Sequence, residues 1–367
     1  MKVKAAIQYE YFKPLVMEEV DLDPVGPDEV LLKLAACAIC HSDVHCQRAE
    51  HGTAPLPGIG GHEMSGWVEA IGENVTYVKP GDLVAASIMP TGCGHCYYCY
   101  MGVPGKCLER PIQLFIPSRF VNRDGKRLTA FEGEVAGFAE YTVVPEANLV
   151  KVPADFRPEL AALIACGVIS GFGAVLNRAK VPPNKSVTVF GCGGVGLNAI
   201  QGARFVGAHP IIAVDILDSK LEMAKQFGAT HTINAKKEAD VVAKVKEITY
   251  DRGSDYCIAA SMGIELLRQA WDASAVQGTT VVIGHGFEET LEAWHPIEFC
   301  LGRTITGSAM GAVQLRVDIP RIIELYQFGR VKLDEMIGGY YSFDRIQEAI
   351  DDMAKGNVVR NVVMFDR

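Results

Sequence analysis

Between residue 2 and about residue 150 the apolar positions come in short runs, such as Val30-Leu31-Leu32-Lys33-Leu34, Trp67-Val68-Glu69-Ala70-Ile71 and Tyr141-Thr142-Val143-Val144, separated by Gly and Pro. Runs of that length closed off by turn formers predict strands, and so an irregular β-rich domain. From roughly Ala161 the pattern changes. A β-branched strand, Val187-Thr188-Val189-Phe190, leads through Gly191-Cys192-Gly193-Gly194-Val195-Gly196 into a helical stretch ending at Val206. A second strand, Ile211-Ile212-Ala213-Val214, stops at Asp215, and helix and strand periods then alternate through Val281-Val282-Ile283. That alternation predicts a parallel, doubly wound α/β sheet. From about Gly311 helices are expected over residues 319–328 and 343–355, with a last strand over 362–365. No internal repeat and no linker-like run interrupts this order.

At 367 residues the chain exceeds what one hydrophobic core usually serves, so two domains are expected. Its 49% hydrophobic and 22% charged residues exclude a disordered chain, and a formal charge of −9 leaves no basic stripe for a nucleic-acid partner. Residues 1–13 alternate apolar and polar and lack the apolar centre of a signal peptide, and no run approaches bilayer length. The expectation is a cytoplasmic protein with reduced thiols and no membrane partner. Clustered cysteine then points to metal rather than to disulfides.

Cys93, Cys96, Cys99 and Cys107 stand at C-x-x-C-x-x-C-x7-C spacing, which lets turns bring four sulfurs to one tetrahedral Zn²⁺ in a closed, structural lobe at about 93–107. The rivals are a disulfide staple, a redox C-x-x-C pair and an iron–sulfur cluster. A chain this long needs no staple, the motif lies outside any βαβ pattern, and no redox partner is indicated.

A G-x-G-x-x-G run alone marks a turn. Here Gly191, Gly193, Gly194, Val195 and Gly196 lie between a predicted strand and helix, and Asp215 follows the last glycine by 19 residues at the end of the next strand. That context predicts dinucleotide binding: the glycines let the pyrophosphate approach a helix N-terminus, and the carboxylate accepts from the adenosine ribose. The plainer alternative is a structural turn, with Asp215 capping the next helix.

Other candidate metal ligands are dispersed: Cys40 in Cys40-His41-Ser42-Asp43-Val44-His45, His62 and Glu63 in Gly60-Gly61-His62-Glu63, and Cys166 before Gly167. Taken singly, Cys166 reads as a small core hydrophobe, His62 as a satisfied core histidine and Glu63 as a salt-bridged carboxylate.

Gly61-His62-Glu63, the four-cysteine lobe, Cys166 and the nucleotide fingerprint together, in order and over essentially the whole length, resemble the zinc-dependent medium-chain alcohol dehydrogenases. The resemblance implies a GroES-like β-rich catalytic domain over 1–168 and 311–367, a Rossmann domain over 169–310, and an active site in the cleft between them. It implies two Zn²⁺ per chain and NAD. Cys40, His62 and Cys166 would hold the catalytic ion, Cys₂His being the ligand set known for alcohol dehydrogenase, with Glu63 beside it.

In the family a Ser or Thr hydroxyl, the cofactor ribose and a histidine pass the proton out; Ser42 and His45 occupy those positions, and otherwise read as a helix cap and an exposed helix residue. His41 and Arg360 match phosphate-binding positions, Lys220 would flank the ribose, and Met89, Phe138 and Met310 fall where the family lines its substrate pocket. Two stretches depart from the pattern: His285, near the nicotinamide position, and the loop 108–138 with its Gly133-Glu134-Val135-Ala136-Gly137 run. The implied function is hydride transfer between NAD and an alcohol/aldehyde or ketone pair, in a homo-oligomer, with a dimer favoured by the loop after Cys107. The alternatives are a member specialised for a larger or adduct substrate, such as thiol-dependent formaldehyde oxidation or enal reduction, and a non-catalytic zinc-stapled nucleotide-binding protein.

Overall fold

The computed structural model describes residues 1–50, 52–284, 294–356 and 358–366. It divides into two units, the first comprising Met1–Cys166, Gln314–Gln327 and Leu333–Arg367, the second Gly167–Val313 and Phe328–Lys332. Phe328–Lys332 belongs with the second unit because the Gln201 side chain grips Lys332 from both sides, donating to its carbonyl at 3.0 Å and accepting from its N–H at 2.7 Å.

The first unit is built on strand Glu29–Ile39, in which nearly every inward position is fully buried. Two edges are shared out along it. Glu63–Ile71 pairs along one edge, while Tyr141–Pro145 takes the start of the other and Arg360–Met364 its end. With Leu83–Ala86, Leu149–Lys151 and Ile337–Ser342 this makes a seven-stranded sheet. A second, five-stranded sheet runs in the order Lys2–Ile7, Val16–Leu22, Leu114–Val121, Arg127–Glu132 and Gly58–Ile59. One apolar cluster, including Ile7, Leu32, Leu34, Met64 and Phe120, joins the two sheets.

The second unit is a six-stranded parallel sheet ordered His231–Asn234, Ile211–Asp215, Val187–Phe190, Ser254–Ala259, Ser274–Val282 and Thr304–Gly307. In chain order that is 3-2-1-4-5-6, so the connection reverses direction between the first and fourth strands. This reversal is where a doubly wound sheet opens a crevice at its strand C-termini.

Two elements differ from the sequence pattern. Helix Leu315–Gln327 begins four residues before the expected Ile319, because Pro320 lies inside its first two turns instead of opening it. The long helix Pro158–Arg178 carries no polar face for a period to reveal: it is long and apolar enough to cross a membrane, yet 89% buried by the protein itself. Its two five-residue stretches, Ile164–Val168 and Ala174–Arg178, are wound as π-turns. Within the second unit, its Gly171 lies against the fingerprint helix Gly194–Phe205, where a β-carbon would stand 2.0 Å from the Val195 carbonyl oxygen. Gly171→Val is therefore expected to cost about 3 kcal/mol, by forcing two helices apart, read as an earlier midpoint in urea unfolding.

Candidate active site

Strand Glu29–Ile39 ends where helix His41–Gln47 begins, and Cys40 is the helix cap between them. Its N–H donates to the Asp43 Oδ2 at 2.8 Å, the reach-back of a capping acid to the cap residue, while Asp43 Oδ1 accepts from the Gly61 N–H at 3.1 Å. One buried carboxyl thus ties the helix start to the segment that carries His62. Burial pushes this Asp43 acid up to about 8, against the opposing pull of His62. Gly61 itself has φ +91, and a side chain there would run into Phe138.

The sheet register brings in the next groups. Ala38 pairs with Glu63 on one side and with Val362 on the other, so Glu63 opens its strand level with Ala38 and Arg360 opens its strand two residues on, beside Cys40. Arg360 is buried and donates Nε to Glu63 Oε2 at 3.2 Å, Nη2 to Glu63 Oε1 at 3.3 Å, Nη2 to the Cys40 sulfur at 3.7 Å and Nη1 to the Val359 carbonyl. Cys166 arrives on the π-turn of the long helix, a local widening of the kind that often marks functional positions. The donor atoms of Cys40, His62, Glu63 and Cys166, four buried residues 126 positions apart at the extremes, all lie within 4.8 Å of one another.

Hydrogen bonding to Cys166 drives the Cys40 thiol well down, aided by Arg360 and His62, and the same contact drives the Cys166 thiol up. Burial works against a charged His62, but Glu132 and Cys40 outweigh it and hold that imidazole well above its usual range. Glu63 is raised to about 7 by burial, with Arg360 opposing. Two sulfurs, an imidazole and an adjacent carboxylate in a dry site suit a zinc ion.

Ser42 Oγ lies 3.4 Å from His62 Nε2. His45, one turn further along the same helix, keeps a partly exposed ring with Nδ1 2.5 Å from Glu50. His41 is half-buried, its ring centre 5.9 Å from that of His45.

The four-cysteine lobe is compact. Sulfur separations of 3.6 Å (Cys96–Cys99), 3.9 Å (Cys96–Cys107) and 4.0 Å (Cys93–Cys99) are far beyond a disulfide bond and suit four thiolates around one ion. Backbone N–H groups point at the sulfurs: Cys96 at Cys93, and both Cys93 and Arg110 at Cys107, each at 3.3 Å. Such donors hold Cys96 down at about 6, with the Leu108 backbone N–H the largest influence.

In the second unit Gly191 and Gly196 meet so closely that a β-carbon on Gly196 would stand 1.8 Å from the Gly191 carbonyl oxygen, while above Gly193, which caps helix Gly194–Phe205, there is open space. Asp215, buried at the end of its strand, accepts from the Cys192 N–H at 2.7 Å and the Leu217 N–H at 3.0 Å. Each oxygen keeps a lone pair for another donor. Lys220, on helix Asp218–Phe227, is half-buried, and its charge and that of Asp215 both reach the Cys192 thiol. Met89 and Phe138 are buried in the first unit, and Met310 accepts from Ser170 in the second. His285 lies outside the described residues.

Sequence reasoning passed over Asp43 and Glu132. Asp43 was signalled by its place three residues after the cap; Glu132, at the end of the distant strand Arg127–Glu132, was not. Because a charge left alone in the core is costlier than a missing pair, Arg360→Met is expected to destabilise the protein by about 3–5 kcal/mol. Adding Glu63→Gln should restore most of it, and a thermal-unfolding double-mutant cycle measures the difference.

Residues 26–154 match the family model described as "Alcohol dehydrogenase GroES-like domain", and residues 194–327 that described as "Zinc-binding dehydrogenase". The chain is 33% identical to alcohol dehydrogenase 1 of Pisum sativum over 100% of its own length and 98% of that protein's. It is 35% identical to S-(hydroxymethyl)glutathione dehydrogenase of Paracoccus denitrificans, with 100% of both chains covered. The crystal structure of benzyl alcohol dehydrogenase from Acinetobacter calcoaceticus superposes with a TM-score of 0.91 at 34% identity, covering 100% of both chains. With two matching family models, full-length relatives and a GroES-like unit beside a Rossmann sheet, the chain belongs to the zinc-dependent medium-chain alcohol dehydrogenase family of oxidoreductases.

Proposed function

We propose that the protein is an NAD-dependent dehydrogenase that interconverts a primary or secondary alcohol with its aldehyde or ketone, working as a cytoplasmic homodimer. The observation that carries this reading is the convergence of Cys40, His62 and Cys166, with the Ser42 hydroxyl at their edge. These three residues hold a catalytic zinc with Glu63 beside it, and Cys93, Cys96, Cys99 and Cys107 hold a second, structural zinc. When bound, zinc supplies Lewis acidity toward the alcohol oxygen and NAD the hydride acceptor.

The chain's own residues then do three things. Ser42 Oγ accepts the substrate's hydroxyl proton as it gives up its own, and the released proton passes by way of His45, steadied by Glu50, to solvent. Arg360 offsets the negative charge of Glu63 and Cys40, keeping the buried site electrically tolerable. His41 and Arg360, at positions that match phosphate-binding residues of the family, would supply positive charge to the pyrophosphate. Gly191, Gly193, Gly194, Val195 and Gly196 let the phosphates approach the helix N-terminus, while Asp215 accepts from the ribose with Lys220 alongside.

Elemental analysis is expected to find two zinc ions per chain; one or none in freshly purified protein would overturn the reading. Cys40→Ser should lose one ion and all turnover of an alcohol panel followed by NADH absorbance, yet stay folded. Cys99→Ser should instead lower the thermal midpoint, since a closed site is coupled to folding.

A 2′-phosphate would face the Asp215 carboxylate at hydrogen-bond distance, and no arginine follows it through Lys220 to neutralise the repulsion. Losing the ribose bond while adding that repulsion should cost about 3 kcal/mol, roughly a hundredfold in kcat/KM against NADP. Asp215→Ser should therefore lower NAD turnover and raise NADP turnover. An unchanged ratio would reduce Asp215 to a turn residue.

A further inference from the structure

The loop that departs from the family pattern is built into the metal site. Strand Gly58–Ile59 runs parallel to Arg127–Glu132, with Gly58 opposite Thr129 and Ile59 opposite Ala130. Continued by two or three residues, that register carries Glu132 and His62 to one level. Beyond Glu132 the chain turns at Gly133, whose φ of +71 suits glycine, and Val135 bridges back to Glu132. The loop is then laced to the His62 segment: the Gly137 N–H donates to the Gly61 carbonyl at 2.7 Å and the Phe138 N–H to the Gly60 carbonyl at 3.1 Å.

The result is a carboxylate, 13% exposed, in contact with Nδ1 of the almost fully buried His62. A second acid, Asp43, lies 3.8 Å from the same nitrogen, but both its oxygens already serve backbone donors, Cys40 and Gly61. Distance and prior commitment therefore single out Glu132. A histidine that gives its Nδ1 proton to a carboxylate presents the Nε2 lone pair on the opposite side, and here Nε2 faces Ser42 and the cysteine sulfurs.

We infer that Glu132 is a positioning residue that fixes the tautomer and orientation of His62 for metal binding, placed there by strand Arg127–Glu132 from 70 residues further along the chain. The inference rests on the reading of Cys40, His62 and Cys166 as a zinc site.

The test uses full-length wild-type protein, Glu132→Ala, the near-isosteric Glu132→Gln, and Cys40→Ser, each loaded with zinc or cobalt. Competition with a chromophoric chelator should show that Glu132→Ala binds the ion missing from Cys40→Ser about 10–100-fold more weakly. Glu132→Gln, which keeps an acceptor oxygen, should fall between, and the four-cysteine ion should be unaffected. In the cobalt-loaded protein the thiolate-to-cobalt absorption of the weakened site should shift in Glu132→Ala. If that site keeps wild-type affinity and an unchanged cobalt spectrum in Glu132→Ala, even with a lowered thermal midpoint, Glu132 is only a loop residue and the inference falls. If Cys40→Ser retains both ions, the zinc reading falls, and this inference with it.

Discussion

The first unit has to accommodate a concentration of acidic groups in a place where water is excluded. Cys40, Cys166, Glu63, Asp43 and Glu132 crowd around two cationic side chains, His62 and Arg360. Charge in such a medium is tolerated only when it is compensated at contact distance. The backbone answers this demand. Asp43 is tied to two N–H groups and is driven toward its neutral form, Arg360 spans Glu63 and a sulfur, and the two thiols are driven in opposite directions, Cys40 down and Cys166 up. A divalent cation, as proposed for this site, would complete the compensation that the protein's own groups leave partial. The affinity of the site for metal and the awkwardness of its charges are one property.

That arrangement depends on register more than on composition. Ala38 faces Glu63 and Val362 on its two flanks, so sliding either pairing by one residue would turn Glu63 or Arg360 to the other side of the sheet. Around it, the apolar cluster shared by the two sheets fixes those pairings far more firmly than the polar contacts could. Packing sets the geometry, and electrostatics exploits it.

How much of this the sequence disclosed follows from how local each feature is. The strand–turn–helix of the nucleotide fingerprint is contiguous, and Val187–Phe190, Gly194–Phe205 and Ile211–Asp215 were readable almost to the residue. The cysteine lobe, also contiguous, was equally plain. The proposed metal ligands were legible as a set only through family resemblance, because Cys40, His62 and Cys166 are brought together by sheet pairing and a packed helix, and no spacing rule encodes that. Helix Pro158–Arg178 was missed for a different reason. Buried on all sides, it has no polar stripe, and its glycines lower helix propensity. Glu132 left no trace at all, since its partner is reached through a parallel pairing of two short strands.

The tethering of Asp215 has a consequence for how such a chain can change over time. Both of its oxygens hold backbone N–H groups, one from the glycine turn and one from the entrance to the next helix. The acid is thus a keystone of the turn as well as the proposed reader of the ribose. A lineage that drifted toward another nucleotide could not exchange this residue in one step without slackening the loop that receives the phosphates. Accessible histories must pass through a prior change that secures Cys192 and Leu217 by other means, so the order of substitutions is constrained by the architecture.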